Sequence, residues 1–105
     1  MNEPSILLTA ADLVWVRTHS GAAFGVFSCN ARECWPATGH GWSRPPQRRT
    51  LDGLPCAVRA CVDLVLRQDP RGKRFILDLD AGRLVLADGQ RPIARLTVAA
   101  TAVAS

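Results

Sequence analysis

Two periodicities divide the chain. Between residues 52 and 68 the apolar side chains fall at Leu54, Val58, Cys61, Val62 and Val65, a spacing that lines one face of an α-helix. Asp52 stands where an N-cap is needed. Pro55 is tolerated in the first turn because its missing N–H would have no helical partner there. Pro70 and Gly72 end the element. Arg59, Asp63 and Arg67 recur at four-residue intervals on another face, where opposite charges on a helix meet.

From Arg74 the period drops to two. Phe75, Leu77 and Leu79 share one face and Asp78 and Asp80 the other, Ala81-Gly82 turns the chain into residues 83–87, and Asp88-Gly89 turns it again into residues 93–98. This predicts a three-strand meander, with Pro92 restricting the start of its last strand to an edge or a strand end. Residues 99–105 carry no charge and only small side chains, which predicts a frayed tail.

The N-terminal third is read from residue type rather than period. Thr9-Ala-Ala-Asp12 has the spacing of a helix start. The β-branched and aromatic run Leu13-Val-Trp-Val16, followed by Phe24-Gly-Val-Phe27, predicts instead a hairpin over residues 13–18 and 22–29 that turns at Ser20-Gly21. Residues 30–50 lose all period, with Pro36, Gly39, Gly41, Pro45 and Pro46 set among Trp35, Trp42 and several arginines, and are expected to form one long loop. The fold expected is therefore α+β: a single domain over residues 1–105 in which one main helix packs across an antiparallel sheet built from an N-terminal hairpin and the C-terminal meander.

Composition sharpens this picture in one respect. The 105 residues carry 13 Lys plus Arg against 9 Asp plus Glu, a net charge of +4, with 48% hydrophobic and 21% charged positions, as expected of one soluble domain. The excess is local. Residues 30–50 and residues 67–74 each carry +3, and the remaining segments are near neutral or slightly acidic. Twelve of the thirteen basic residues are arginine and fifteen positions are alanine, a bias that coding composition alone produces. No apolar run approaches the roughly 20 residues of a membrane span, so no membrane association is expected. The apolar stretch at residues 6–8 is too short for a secretory h-region, which predicts a cytoplasmic protein with reduced thiols.

Chemistry-bearing residues are few. His19, Cys29, Cys34 and His40 have the donor types of a zinc site, spaced H-x9-C-x4-C-x5-H, although zinc sites more often use closer cysteine pairs. Cys34 with His40 is the only short-range nucleophile–base pair, it lacks an orienting third group, and no phosphate-binding loop or metalloprotease motif is present. The chain is accordingly expected not to be an enzyme and to need no cofactor, zinc at the Cys/His set being the exception. Trp35, Trp42, Arg44, Arg48 and Arg49, joined by Arg67, Arg71, Lys73 and Arg74, are the residue types found at energetic centres of interfaces. They predict a small binding protein whose partner is a protein or nucleoprotein, of the size and composition common among phage and mobile-element accessory proteins and inhibitors. The alternatives are a module that binds DNA or RNA and a zinc-organised domain.

Overall fold

The computed structural model describes residues 3–20, 24–36 and 49–99. In chain order these form β1 (Ser5–Leu8), α1 (Ala10–Ser20), β2 (Phe24–Cys29), β3 (Glu33–Pro36), β4 (Arg49–Thr50), α2 (Cys56–Gln68), β5 (Arg74–Asp78), β6 (Arg83–Leu86) and β7 (Arg91–Val98). Short 3-10 turns at Leu51–Gly53 and Asp88–Gln90 precede α2 and β7. The strands make one seven-stranded sheet in the order β1-β7-β6-β5-β2-β3-β4.

The meander is present as its alternation predicts. Phe75 pairs with Leu86 and Leu77 with Leu84, so the buried residues of β5 and β6 share a face. Between β6 and β7 the register slips: Leu84 faces Ala94 but Val85 faces Pro92, leaving Ile93 as an extra residue. Pro92 lies at the start of its strand and outside the stretch that pairs with β1, which begins at Arg95, so its missing N–H costs no ladder bond there.

Three expectations are corrected. The sheet is mixed rather than antiparallel, because β1 runs parallel to β7 with Ile6 opposite Leu96 and Leu8 opposite Val98. A parallel pair has no connecting turn, and these partners lie some ninety positions apart, so no local signal announces the pairing. Secondly, residues 30–50 are not one loop. Asn30 Oδ1 accepts from the Arg32 and Glu33 N–H groups, both at 2.8 Å, and the Asn30 N–H donates to the Glu33 carbonyl at 2.9 Å. This tight side-chain-braced turn sends β3 back along β2, and β4 follows on its outer edge.

Thirdly, residues 13–18 belong to α1, so the described residues form two helices and no hairpin over residues 13–29; of the expected second strand, Phe24–Cys29 is present as β2. The reason is a capping box. Asp12 Oδ2 accepts from the Thr9 N–H at 3.0 Å and from the Thr9 hydroxyl at 2.6 Å, while the Leu13 N–H donates to the Thr9 carbonyl at 3.0 Å. Asp12, Leu13 and Val16 then fall on the buried face and Val14 on the solvent face, 64% exposed. Packing on the sheet thus overrides the strand preference of Leu13-Val-Trp-Val16. Trp15 is part of that packing, its ring 5.1 Å from that of Phe27, which in turn lies 5.9 Å from Phe75.

Asp12 also governs the second helix. The expected stripe of α2 is buried at every position named, from Leu54 through Val65, and Arg59 pairs with Asp63 at 3.1 Å. The cap, however, is not Asp52, which is exposed and accepts from Arg59 instead at 3.2 Å. Pro55 occupies the N-cap position and has no side chain able to serve. Asp12 Oδ1 reaches across from α1 and accepts from the Ala57 and Val58 N–H groups at 3.0 and 3.2 Å. One buried carboxylate therefore caps both helices, set against the positive end of the α2 dipole.

Both helices lie on one side of the sheet. Beneath them Ile6, Leu8, Phe27, Cys29, Cys34, Phe75, Leu77, Leu84, Leu86, Ala94 and Leu96 form the core with Leu13, Val16, Val58, Cys61, Val62 and Val65. Among the described residues, no element covers the opposite side of the sheet. Gly72, in the turn from α2 to β5, is required by its surroundings: its φ is +89°, and a Cβ there would sit 1.9 Å from the Cys29 carbonyl oxygen.

Candidate functional site

The uncovered face follows from strand alternation. Residues directly opposite one another on neighbouring strands project to the same side, so the register assigns its occupants. Ser28 pairs with Trp35 on one flank and with Arg74 on the other, which makes Trp35, Ser28 and Arg74 one row across β3, β2 and β5. The next row is apolar, Val26, Ile76 and Val85, all half-buried, with exposed Pro92 at its end. Beyond it Asp78, Arg83, Arg95 and Ser5 run across β5, β6, β7 and β1. Thr97 and Leu7, the latter 58% exposed, extend the face at the β1 edge.

This arrangement joins the two basic segments. Trp35 comes from the first and Arg74 from the second, and with two inter-strand steps between them their backbones lie roughly 10 Å apart. Lys73 is next to Arg74, and its Nζ lies 3.7 Å from Asp88 Oδ2, a long contact to an exposed carboxylate. Trp35, Ser28, Cys29, Lys73, Arg74, Ala87 and Asp88 surround an open depression of about 540 Å³. Trp35 is half-buried in the wall of this depression and Arg74 is exposed at its rim.

The other expected residues are distributed differently. Arg49 faces Cys34 in the β3–β4 ladder and so projects toward the helix-covered side, away from Trp35. Arg67 is exposed on α2, also on the helix layer. Arg71 lies in the turn before β5 with its side chain 93% exposed and 3.7 Å from Asp69, close in sequence to the depression but outside its lining. Trp42, Arg44 and Arg48 lie outside the described residues. So does His40 of the proposed zinc set, and the His19 side chain is likewise not described, whereas Cys29 and Cys34 face each other directly. Among the described residues, no group of three or more His, Cys, Asp or Glu side chains is disposed to hold a metal ion.

Two residues of this face were missed by composition reasoning. Arg83 and Arg95 stand opposite each other on β6 and β7, exposed and with no ion pair among the described residues. Like charges directly opposite in a ladder are destabilising. The neighbouring Asp78 offsets this in part, although its Oδ1 also accepts from the Ala81 N–H at 3.0 Å. The signal was present in the alternation itself, since Leu84 and Leu86 point inward and must turn Arg83 and Val85 outward. Among the described strand residues of this face, Arg74, Arg83 and Arg95 stand against Glu33 and Asp78.

The thiols are held in their neutral form. Burial pushes the Cys34 thiol up to about 12, with the nearby Cys29 adding to the effect. Burial likewise raises Cys61 to about 12, reinforced by Asp12 and Cys34. Burial also raises Cys29, with a backbone hydrogen bond at Lys73 acting in the opposite direction. At neutral pH all three are predominantly thiols, with thiolate only a minor fraction. Among the described residues no helix is long and apolar enough to cross a membrane. Comparison with protein-family models, with curated proteins and with solved structures finds no match to this chain.

Proposed function

We propose that this chain is a small, non-catalytic, cytoplasmic binding protein that engages a macromolecular partner through the uncovered sheet face, centred on Trp35 and Arg74. The observation that carries the reading is the single row Trp35–Ser28–Arg74, which unites an aromatic and a cation from the two separate basic segments. Half-buried Val26, Ile76 and Val85 supply an apolar centre, and Arg74, Arg83 and Arg95 surround it, the combination of dry middle and arginine-rich rim that protein interfaces use. A partner with an acidic surface fits this face, and an accessory or inhibitor role follows from binding without chemistry. Neutral, buried Cys29, Cys34 and Cys61 support the non-catalytic part of the reading.

A second reading, single-stranded nucleic acid, is favoured by the facing pair Arg83 and Arg95. Phosphates would relieve the repulsion between these side chains, and Trp35 would stack on a base. Affinity capture from a lysate with and without nuclease separates the two. A protein partner survives nuclease treatment, whereas a nucleic-acid partner is lost, and its binding weakens steeply as salt rises. In either case Trp35→Ala combined with Arg74→Glu lowers affinity at least about tenfold, the effect of losing roughly 1.4 kcal/mol. Unchanged affinity in a folded double variant overturns the assignment of this face.

A further inference from the structure

The ladder between β2 and β3 brings two thiols face to face. Cys29 lies directly opposite Cys34, and both are buried and unbridged. The Cys29 N–H donates away from β3, to the Lys73 carbonyl at 3.3 Å, while the next rung of the hairpin is closed by the Asn30 N–H on the Glu33 carbonyl. Cys29 and Cys34 therefore form a non-hydrogen-bonded pair, the kind in which Cα atoms approach to about 4.5 Å and side chains come closest. A disulfide needs Cα atoms about 4.4–6.8 Å apart, a backbone spacing that such a pair meets. The effect of Cys29 on the Cys34 proton is what neighbouring sulfurs produce.

We propose that Cys29 and Cys34 are a modification site, a dithiol that closes to a reversible cross-strand disulfide with a low-molecular-weight disulfide such as oxidised glutathione as the oxidant. Both side chains project toward the helix layer, and Cys29 is the entry thiol because it keeps 3% exposure whereas Cys34 has none. Deprotonated Cys29 Sγ attacks one glutathione sulfur, the oxidant's S–S bond breaks, and the first glutathione leaves as a thiolate that takes up a proton. Cys34 Sγ, giving up its proton, then attacks Cys29 Sγ in the mixed disulfide and expels the second glutathione, which is protonated in turn. The protein loses two electrons and two protons, and one glutathione disulfide becomes two thiols. Trp35 follows Cys34 directly, so closing the bridge clamps to β2 the strand that carries the aromatic of the uncovered face.

The test uses the full chain with Cys56→Ser, which removes the exposed thiol and its intermolecular side reactions. The protein is equilibrated in glutathione buffers of graded redox ratio, quenched in acid, and mapped by peptide mass. The expected result is a peptide pair linking Cys29 to Cys34 whose abundance, relative to the free thiols, moves at least about tenfold across the series and reverts on reduction. In a Cys34→Ala variant the reaction stops at a stable glutathione adduct on Cys29. A bridge from Cys34 to Cys61, or full alkylation of Cys29 and Cys34 after equilibration in the most oxidising buffer, overturns the proposal. Absence of the Cys29 adduct in Cys34→Ala overturns the assignment of the entry thiol.

Discussion

Replacing Asp12 by alanine tests whether one carboxylate holds both helices. Asp12 is fully buried and accepts four hydrogen bonds, two from Thr9 and two from the first turn of α2. Truncation leaves the Ala57 and Val58 N–H groups buried without an acceptor, at about 1–3 kcal/mol each. It also dissolves the capping box of α1, at about 1 kcal/mol. Partial rescue by entering water or local fraying brings the sum to about 3–5 kcal/mol, a large share of the roughly 5–15 kcal/mol a domain of this size commands. The assay is equilibrium urea unfolding followed by far-UV circular dichroism, with a fall in midpoint at constant slope as the signature. Asp12→Asn is the sharper control. It keeps the shape, but one oxygen becomes an NH2 group that meets a donor on one of the two sides, so the loss is about half as large. A cost below about 1 kcal/mol for the alanine variant, with both helices intact, refutes the double-capping account.

The other predictions follow from burial and backbone geometry. Gly72→Ala combines a positive φ with a clash against the Cys29 carbonyl and lowers stability by about 3 kcal/mol or more; a thermal shift of only a degree or two would contradict the described turn. Val62→Asp buries an unpaired charge in the α2 stripe and is expected to abolish the cooperative unfolding transition, whereas a folded variant would mean the core lies elsewhere. Because folding raises the Cys34 and Cys61 thiols from 9.0 to about 12, their contribution is fully present below about pH 9. It declines as the unfolded chain alone loses protons, by about 1.4 kcal/mol per thiol per pH unit, until the folded value near 12 is passed. Urea midpoints measured across this alkaline range check it; Cys34→Ala with Cys61→Ala flattens the decline, and an identical profile in that variant counts against buried thiols as the cause.

How much of this was legible in the chain depends on how far apart the interacting residues lie. The helix stripe of α2, the Arg59–Asp63 pair, the meander of β5 to β7 and the turns at Gly82 and Gly89 all rest on neighbours within a few residues, so periodicity and turn chemistry sufficed. Thr9 and Asp12 likewise stood at capping-box spacing. That signal was outweighed by the strand preference of the run behind it, and only the sheet surface beneath Leu13 and Val16 reversed the balance. The candidate site was legible as residue types, Trp35, Lys73 and Arg74 among them, but not as a surface. Its assembly needed the hairpin at Asn30, hidden in a segment rich in loop-forming residues, and the pairing of β2 with both β3 and β5.

The sequence by itself determined which short segments could bury one face and which side chains that burial turned outward. Tertiary structure alone decided that β1 lies parallel to β7, that a carboxylate in α1 caps a helix 45 positions further on, and that two basic segments separated by α2 meet on either side of Ser28. Alternation and capping are local, with energies set by adjacent residues. Strand order and the neighbours of a face depend on which distant segments exclude water together, a choice that no single window of the chain contains.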